Sequence, residues 1–595
     1  MSKRDICIDR LRQRALHHKD ENVYFSQVNE KWEPITWHEY HEQVRQFAKS
    51  LLHLGFKADS KVAVLGFNQL EWAISAIGAQ YAGGVSVGVY TASSKEEVSY
   101  VVDHSDAEVL VVENLARYQS QVHPIRAQLP KIKLVVLMSN ENCHEAGVVG
   151  FSTFMSMGRD ITDHELDERQ RSIAPSSVAT MIYTSGTTGN PKSVMLSHAT
   201  LAWTVRTAVQ SWRCGPWDKA VSYLPLAHVA EQMFTLYAPL DSGMQSYFAP
   251  SFDALKETIK DVEPTVFFGV PRIYEKMYEA VRDGLSERGY WQKKLVSYFS
   301  RVTSDYYKAR HTGRMPSLWT NSQYQFGSKK IFSELKKKMG FGNARICVCG
   351  AAPISKDILT FFNGLDIPIY EIFGQSENAG PASFNLPGQA KIGTVGRAMP
   401  GSEIKIADDG EILIKGPHVF LGYYKDEAAT AEVLKHGWLA TGDIGAIDKD
   451  GFLRITDRKK DLLITAGGKN ISPQNLEAML KTLPYVQSAV VVGDAKKYLC
   501  ALLSPDVPSI QKKASLLGKP AEPAHHLITD EAIQQEISAE LDRINSRLAP
   551  VEQIKKFALL PNEFSVDSGE FTPTMKVKRK FVNQKYQREI EKMYQ

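Results

Sequence analysis

A segment rich in hydroxyl groups and glycine is the part of this sequence best suited to bind phosphate. Residues 183–192 read YTSGTTGNPK and combine four Ser and Thr hydroxyls with two glycines and one lysine. They follow the apolar, β-prone residues 178–182, so we expect a buried strand that leads into a phosphate-binding loop. Glycine lets the backbone approach a ligand, N–H and hydroxyl groups donate to phosphate oxygens, and Lys192 adds positive charge. The loop is not a Walker A motif, because Pro191 precedes the lysine where that motif has glycine.

Other polar side chains lie at points where predicted strands or turns end. Glu377 follows an apolar stretch, and its carboxylate is the kind of ligand that Mg²⁺ prefers. Asp443 lies in a predicted turn, where a carboxylate can accept two hydrogen bonds from a ribose diol. Lys576 is flanked by turn-forming residues, and its mobile ammonium can neutralise negative charge that develops in a reaction. His228 follows another apolar stretch, where the alternative is an ordinary structural histidine.

Together these segments resemble the motifs of the adenylate-forming family, which includes acyl-CoA synthetases, luciferases and peptide-synthetase adenylation domains. The resemblance extends from about residue 25 to the end of the chain. Its motifs are residues 183–192, 223–231, 346–353, 370–377, 438–443, 455–458, 466–471 and 571–579. Residues 267–276, 380–381 and 580–586 look closest to long-chain fatty acyl-CoA synthetases of the bubblegum type. The sequence departs from the family pattern at Ser193, Phe373 and Met575.

The resemblance implies a role for each matching residue. The implied triphosphate-binding residues are Thr184, Ser185, Gly186, Thr187, Thr188, Gly189 and Lys192. The implied adenine, acyl and ribose contacts are Gly350, Ala351, Ala352, Phe373, Gly374, Asp443 and Arg458. Glu377 and Thr184 would hold Mg²⁺, and Ser376 would donate to the α-phosphate. His228 would line the carboxylate pocket, Lys460 would be a hinge, Gly467 would line the coenzyme A channel, and Lys576 would be the catalytic lysine.

The elements that must position these residues predict an α/β fold. Residues 61–113 alternate between strand-like and helix-like stretches, which favours a mostly parallel sheet. One of the predicted helices extends to His104, with Ser94 as its N-cap ahead of Glu96 and Glu97. The charged residues 457–461 separate two apolar segments, and amphipathic helices follow them. We therefore expect a large N-terminal domain of mixed and parallel sheets over residues 1–457. A small mobile α+β domain over residues 458–595 would turn about a hinge near Lys460.

Composition excludes several classes of protein. Lys and Arg total 71 against 67 Asp and Glu, so the net charge of +4 does not predict a nucleic-acid partner. No apolar stretch is long enough to predict a transmembrane helix, and the N-terminus does not read as a signal peptide. The six cysteines are scattered, and Cys347 and Cys349 lie in an apolar run that suits a buried strand better than metal ligation. We therefore expect free thiols in a cytoplasmic protein.

Residues 275–338 differ from the rest of the chain in being helical and in mixing aromatic residues with lysine. The aromatic residues are Tyr290, Trp291, Tyr298, Phe299 and Trp319, and the lysines are Lys293, Lys294, Lys329, Lys330, Lys336, Lys337 and Lys338. One interpretation is a surface helical insertion. The other is a patch that contacts a membrane peripherally and collects a lipid substrate.

The resemblance implies a long-chain fatty acid–CoA ligase with ATP, Mg²⁺, the fatty acid and coenzyme A as small-molecule partners. Such an enzyme forms an acyl-adenylate and then an acyl thioester, releasing pyrophosphate and AMP. An adenylating enzyme that passes the acyl group to a carrier protein would share the same nucleotide motifs. A nucleotide-regulated binding protein would show no turnover, and a P-loop kinase or ATPase would form ADP. The sequence makes no prediction of acyl chain length or oligomeric state.

Overall fold

A computed structural model describes residues 4–184, 190–466, 469–519, 523–572 and 576–595. Within these residues, four sheets and many helices form a large N-terminal region, and two smaller sheets lie in the C-terminal region. The α-helices of six residues or more are Cys7–His17, Trp37–His53, Leu70–Tyr81, Lys95–His104, Phe151–Met157, Asp163–Arg171, His198–Trp212, Leu255–Val262, Pro271–Ser286, Tyr290–His311, Leu318–Gly327, Ser333–Lys338, Lys356–Gly364, Glu427–Val433, Pro473–Leu480, Val507–Leu516, Glu531–Asn545, Arg579–Lys585 and Gln587–Tyr594. The predicted α/β class with mixed sheets is confirmed.

The largest sheet has eight strands and carries the predicted phosphate loop. In spatial order its strands are Gly422–Tyr423, Lys192–Ser197, Val178–Thr184, Val85–Val89, Lys61–Leu65, Ala107–Val112, Leu134–Leu137 and Val148–Gly150. The last six are parallel, and the first two pair antiparallel. Helices cover this sheet, so Val85–Val89 is buried at every position and consists almost wholly of small and β-branched residues.

Local sequence explains how the helices between these strands begin. The Ser94 hydroxyl accepts a hydrogen bond from the backbone of Glu97, and the Glu97 carboxylate accepts one from the backbone of Ser94. This capping box satisfies two backbone donors at the start of Lys95–His104. Ser94 is therefore confirmed as the N-cap that the sequence predicts.

Three further sheets complete the N-terminal region. A five-stranded sheet has the order Val266–Gly269, Ile346–Cys349, Ile369–Gln375, Gly380–Phe384 and Arg397–Ala398. A four-stranded sheet has the order Lys219–Ser222, Gln245–Phe248, Asn22–Val28 and Lys31–Thr36. An antiparallel sheet contains Glu403–Ile406, Glu411–Lys415, Trp438–Ile447 and Leu434–Lys435, with Leu453–Arg458 beside Trp438–Ile447. Four of the predicted motifs, 346–353, 370–377, 438–443 and 455–458, overlap strands of these sheets, and motif 223–231 directly follows the strand Lys219–Ser222.

The C-terminal region begins after the strand Leu453–Arg458. A short hairpin pairs Leu463–Ile464 with Asn470–Ile471, and a three-stranded sheet joins Val486–Val492, Leu499–Pro505 and Ile554–Leu559. The helices Pro473–Leu480 and Glu531–Asn545 contribute to a separate apolar core around that sheet. A core of its own is what an independently moving domain needs.

The structure describes all six cysteines and the helices of the predicted insertion. All six cysteines are free thiols, and Cys347 and Cys349 are buried in the strand Ile346–Cys349. No helix among the described residues combines the length and apolarity needed to cross a bilayer. The stretch predicted to be a helical insertion does form helices, including Tyr290–His311 and Leu318–Gly327.

Candidate active site

The phosphate loop connects two antiparallel strands at the edge of the parallel part of the largest sheet. The register places Thr184 directly opposite Lys192. The Thr184 hydroxyl donates to the Lys192 carbonyl oxygen at 3.4 Å, which helps to close the base of the loop. Five predicted loop residues, Ser185, Gly186, Thr187, Thr188 and Gly189, lie outside the described residues. The structure thus positions the two ends of the loop, and the roles of all its residues stay predictions.

Glu377 is linked to the phosphate loop by a tyrosine that the sequence analysis missed. The Tyr423 hydroxyl donates to Glu377 Oε1 at 2.9 Å, and Lys192 Nζ lies 4.9 Å from the centre of the Tyr423 ring. Tyr423 can reach both because its strand, Gly422–Tyr423, pairs with Lys192–Ser197. No local pattern distinguishes this tyrosine, because the contact joins residues 46 positions apart.

Asp443 and Arg458 meet across an antiparallel pair of strands. They lie opposite each other in the register, with Arg458 Nε 3.3 Å from Asp443 Oδ1. The Gln375 amide donates to Asp443 Oδ2 at 2.8 Å and to the Thr441 carbonyl at 2.7 Å. Burial raises the pKa of Asp443, while Arg458 and Gln375 favour the carboxylate form. Gln375 is a second residue that the motif reading missed, and it joins the Glu377 motif to the Asp443 motif.

Glycine is sterically required at position 374. A Cβ atom there would lie 1.5 Å from the carbonyl oxygen of Gly380 on the neighbouring strand. Phe373, one residue earlier, is 6% exposed and packs in the main hydrophobic core, so its stacking on adenine stays a prediction. Ser376 is partly buried and begins the 3₁₀ turn Ser376–Asn378, which contains Glu377.

The small residues 350–352 form an open turn at the end of the neighbouring strand. A Cβ atom on Gly350 would come within 2.6 Å of Ile372 Cγ2, so a larger residue would push against the Glu377 strand. Ala351 adopts a left-handed conformation with φ of 71°, and both Ala351 and Ala352 are exposed. The turn therefore leaves exposed backbone beside Ile369–Gln375, as a site for a flat ring requires.

His228 caps a short helix and is neutral at physiological pH. Its Nδ1 atom accepts a hydrogen bond from the Ala230 backbone N–H at 3.2 Å. Burial lowers the pKa of His228 to about 4, and the nearby charge of Lys576 acts in the same direction. A neutral imidazole can orient a carboxylate by hydrogen bonding, but it does not supply a positive charge.

Lys576 comes from the C-terminal region yet lies among the N-terminal site residues. The residue is exposed overall, but the protein packed around its ammonium disfavours the charged form and lowers the pKa of Lys576 to about 8. The charge of Arg458 adds to this shift, whereas Asp443 and Glu377 oppose it. These mutual effects show that the motifs containing positions 228, 377, 443, 458 and 576 converge on one site.

The chain around Lys576 is held by its own region. The Thr572 backbone N–H donates to the Lys576 carbonyl at 2.8 Å, and the Lys576 N–H donates to the Thr572 hydroxyl at 3.1 Å. Three residues after the lysine, Nη2 of Arg579 donates to both carboxylate oxygens of the buried Glu477, at 2.6 and 2.8 Å. The chain around the lysine is therefore anchored to the C-terminal core.

The predicted hinge residue Lys460 lies in an exposed turn directly after the strand Leu453–Arg458. Its neighbour Lys459 pairs with Asp409 at 2.6 Å and with Glu411 at 2.9 Å. Gly467 lies outside the described residues. The rotation about Lys460 and the role of Gly467 both stay predictions.

The donor set fits Mg²⁺ better than a transition metal. Among the described residues, no group of three or more His, Cys, Asp and Glu side chains is arranged around a common point. Glu377 offers one carboxylate, and Thr184 offers a hydroxyl at the base of the loop. Mg²⁺ takes one or two carboxylates and completes its shell with phosphate oxygens and water, so these residues suffice when a nucleotide is present.

Comparison with known proteins agrees with this geometry. The model of the AMP-binding enzyme family matches residues 11–424, and the model of the AMP-binding enzyme C-terminal domain matches residues 460–595. A relative from Xenopus laevis, long-chain-fatty-acid–CoA ligase ACSBG2, is 36% identical over 96% of this chain and 81% of its own length. Long-chain-fatty-acid–CoA ligase ACSBG1 from Homo sapiens is 34% identical over 95% of this chain and 82% of its own length.

Solved structures share the fold at low sequence identity. The anthranilate CoA ligase AuaEII in complex with anthranoyl-AMP superposes with a TM-score of 0.75 at 19% identity, covering 99% of both chains. The adenylation domain of a carboxylate reductase from Mycobacterium chelonae gives a TM-score of 0.73 at 20% identity, covering 99% of this chain and 91% of that one. Family models that span most of the sequence, together with relatives above 30% identity over nearly all of it, show that this chain belongs to the family of AMP-binding enzymes.

Proposed function

We propose that this protein is an ATP-dependent long-chain fatty acid–CoA ligase that works through an acyl-adenylate and releases pyrophosphate and AMP. The observation that carries the proposal is that Lys576, from the C-terminal region, lies close enough to Asp443 and Glu377 for their charges to affect its pKa. A mobile cation beside two separate nucleotide-binding motifs suits a reaction that joins a carboxylate to a phosphate. The substrate class is that of the long-chain-fatty-acid–CoA ligases to which the chain is similar.

In the first step, a carboxylate oxygen of the fatty acid attacks the α-phosphorus of ATP. A new O–P bond forms, the bond from the α-phosphorus to the bridging oxygen breaks, and pyrophosphate leaves with that electron pair. Lys576 would neutralise the charge that builds up between the two anions, and Ser376 would donate to the α-phosphate. Neutral His228 would orient the acyl carboxylate. Because no covalent enzyme intermediate is needed, positioning and charge stabilisation account for the rate.

The remaining residues would hold the nucleotide. Residues 184–189 and Lys192 would bind the triphosphate, and Asp443 with Arg458 would bind the ribose and phosphate. Gly350, Ala351, Ala352, Phe373 and Gly374 would border the adenine or the acyl group. Mg²⁺, held by Glu377 and Thr184, would neutralise phosphate charge when bound. Tyr423 would keep the Glu377 carboxylate in place through its 2.9 Å hydrogen bond.

In the second step, the C-terminal domain, residues 458–595, would turn about Lys460. This rotation would withdraw Lys576 and bring the hairpin that contains Gly467 to the site. The coenzyme A thiolate would attack the acyl carbonyl carbon, a thioester bond would form, and AMP would leave as the mixed anhydride breaks. Separate orientations for the two steps let one site serve two different nucleophiles.

The proposal is tested by assaying both half-reactions with a ladder of acids from acetate to very long chains. We expect AMP release that requires MgATP, coenzyme A and a long-chain acid. We expect Lys576→Ala to slow acyl-adenylate formation by about 100-fold or more, the range for loss of one group that stabilises transition-state charge. The same variant should still form thioester from supplied acyl-AMP, because Lys576 is withdrawn in that step.

Lys578→Ala is the matched control, since this neighbouring lysine has no proposed contact with the reacting atoms. Release of ADP would instead indicate a kinase or ATPase. Acid-dependent pyrophosphate exchange without turnover of coenzyme A would indicate another acyl acceptor, such as a carrier protein. Nucleotide binding without any turnover would indicate a binding protein. An equal loss of both half-reactions in Lys576→Ala would contradict the role of this lysine.

We also propose that the enzyme is cytoplasmic and contacts membranes peripherally. Its six cysteines are free, as thiols are in a reducing compartment. A long acyl chain gains about 0.8 kcal/mol for each CH₂ group buried in lipid, so the proposed substrate partitions strongly into membranes. Contact with a bilayer surface would therefore bring the enzyme to its substrate.

A further inference from the structure

Residues 290–338, here called the helical arm, concentrate exposed apolar side chains and positive charge. Of the nineteen large apolar side chains exposed in the described part of the chain, eight lie in this arm. They are Tyr290, Trp291, Leu295, Tyr298, Met315, Leu318, Trp319 and Phe326. The arm also has eleven Lys and Arg against two Asp and Glu, a net charge of +9, whereas the whole chain has only +4. The rest of the protein is therefore net negative.

Helical geometry gathers the first group into a stripe. Tyr290, Trp291, Leu295 and Tyr298 recur at helical spacing along the first turns of Tyr290–His311, and Trp291 is 78% exposed. Phe299 and Thr303, which lie one turn apart on a neighbouring face of the same helix, are buried, and Val302 is buried where the stripe ends. The helix therefore packs one face against the protein and presents an apolar stripe to the outside.

The second helix of the arm adds to this exposed surface. The Phe326 ring lies 5.5 Å from the Phe299 ring, and the Gln323 amide donates to the Tyr298 hydroxyl. These contacts place Leu318–Gly327 beside the first helix. At its start, Leu318 is 89% exposed and Trp319 is 72% exposed. Large apolar side chains are thus exposed on both helices.

Lysines surround the rings without neutralising partners. Lys294 Nζ lies 5.0 Å from the centre of the Tyr290 ring and 5.8 Å from that of Trp291. Lys293, Lys294, Lys329 and Lys330 are exposed, and no salt bridge joins any of them to an acidic group among the described residues. A surface that combines aromatic rings with free cations is complementary to a bilayer with anionic headgroups, where rings enter the interface and lysines meet the phosphates.

The arm is fixed firmly to the protein by one buried carboxylate. Asp366 accepts hydrogen bonds from the Tyr307 hydroxyl at 2.7 Å, the Tyr324 hydroxyl at 2.9 Å and the Ser328 hydroxyl at 2.7 Å. It also pairs with Lys336 at 2.6 Å. Asp366 lies three residues before Ile369–Gln375, the strand that leads to Ser376 and Glu377. The arm is therefore bonded to the segment that leads into the sheet carrying the site.

We propose that the helical arm docks this protein onto bilayers that contain anionic lipid. The docking identifies the surface through which the enzyme reaches the long-chain acid, and in that respect it rests on the proposed function. Aromatic side chains would lie at the depth of the headgroups, and the four unpaired lysines would contact headgroup phosphates and carboxylates. The net negative charge on the rest of the chain would orient the arm toward the membrane.

The test is sedimentation of the full chain with vesicles, in the absence of ATP, coenzyme A and fatty acid. We expect binding to vesicles of phosphatidylcholine and phosphatidylserine in equal parts, and little binding to phosphatidylcholine alone. Changing Lys293, Lys294, Lys329 and Lys330 together to Gln should weaken binding by about 100-fold or more, since each surface lysine contributes roughly a factor of five. Trp291→Ala combined with Trp319→Ala should weaken it by about 10-fold or more.

Matched controls separate this surface from general charge and apolarity. One control changes the exposed Lys57, Lys256, Lys449 and Lys497 to Gln, and the other is Trp217→Ala, which removes a ring that is 69% exposed outside the arm. Neither control should alter vesicle binding. All variants should keep AMP release with an acid supplied in free solution, which shows that they fold.

Three outcomes would overturn the proposal: no binding of the natural chain to anionic vesicles, equal losses in arm and control variants, or dimers without vesicles that the arm variants disrupt. The last would assign the surface to a second copy of the chain. Vesicle binding without ligase turnover would leave the docking surface standing while refuting the proposed function, so the two failures are distinguishable.

Discussion

Lys576 has a pKa low enough that its positive charge is lost within the pH range of an ordinary assay. The protein around it lowers its pKa to about 8, and the neighbouring cation Arg458 contributes to the shift. An ammonium with this pKa is still largely protonated at neutral pH. Because the proposed role requires the positive charge, the free enzyme should become less competent for adenylation as pH rises through about 8.

The lowered pKa of Lys576 predicts how the rate of the first half-reaction depends on pH. We expect kcat/KM for ATP, measured by acid-dependent pyrophosphate exchange, to fall about tenfold per pH unit above the pKa of about 8 for Lys576. Using only the first half-reaction keeps ionisation of the coenzyme A thiol out of the profile. Lys576→Arg keeps the charge to much higher pH, so any activity that remains should lose this alkaline fall. The same alkaline fall in Lys576→Arg would assign it to another group.

At the scale of elements, the site depends on strands that approach too closely for ordinary side chains. Gly374 lies where the strand Ile369–Gln375 meets Gly380–Phe384, and a Cβ atom there would overlap the Gly380 carbonyl. The bulge between Phe373 and Gly374 turns the chain at this point and leads it to Ser376 and Glu377. Close backbone packing therefore sets the position of two proposed catalytic side chains.

Gly374→Ala should accordingly damage both stability and nucleotide binding. Relief of a 1.5 Å contact with backbone requires the strands to separate, which we expect to cost about 3 kcal/mol or more. Thermal unfolding and ATP titration would measure the two effects. Gly284→Ala is the control, because nothing lies within 4 Å of the added methyl group in the helix Pro271–Ser286, and it should stabilise by about 0.5–1 kcal/mol. A Gly374→Ala protein with unchanged melting temperature and ATP affinity would contradict this account.

At the scale of the whole molecule, charged pairs join the two regions in the orientation that places Lys576 at the site. Arg272 pairs with Asp506 at 3.3 Å, Asp283 with Lys512 at 3.0 Å, and Asp357 with Arg547 at 3.3 Å. The second and third pairs are exposed, so each contributes less than about 1 kcal/mol and weakens in salt. Small energies suffice here, because in the proposed mechanism the C-terminal region also leaves this orientation during each turnover.

We predict that Arg272→Gln, Lys512→Gln and Arg547→Gln combined will slow adenylation by about 3- to 10-fold, as expected from three weak pairs. Thioester formation from supplied acyl-AMP should not slow, because the proposed second orientation does not use these pairs. The natural chain should lose adenylation activity as salt rises, and the triple variant should be less sensitive.

The control variant changes Lys260, Lys338 and Arg543 to Gln. Each of these residues pairs with an acidic group in its own region, so this variant should behave like the natural chain. Pyrophosphate exchange against ionic strength measures the difference. If the triple variant keeps the natural salt dependence, these three ion pairs do not hold the two regions in the adenylating orientation.

Much of the fold and part of the site were predictable from local patterns. The alternation of strands and helices over residues 61–113, the Ser94 cap and the buried Cys347 strand are confirmed, because each depends on neighbours in sequence. The motifs around Lys192, Glu377 and Lys576 could be located for the same reason. Short-range preferences and spacing are present in the chain before it folds.

The sequence by itself determined the family, the α/β class and the candidate residues, since residue type and spacing carry that information. Only the tertiary structure decided that Tyr423 holds Glu377, that Gln375 bridges to Asp443, and that the two helices of the arm pack side by side. It also decided that Lys576, from the C-terminal region, lies close enough to His228 in the N-terminal region to lower the pKa of that histidine. These contacts join residues far apart along the chain. Strand register and domain packing create them, and no local pattern encodes either.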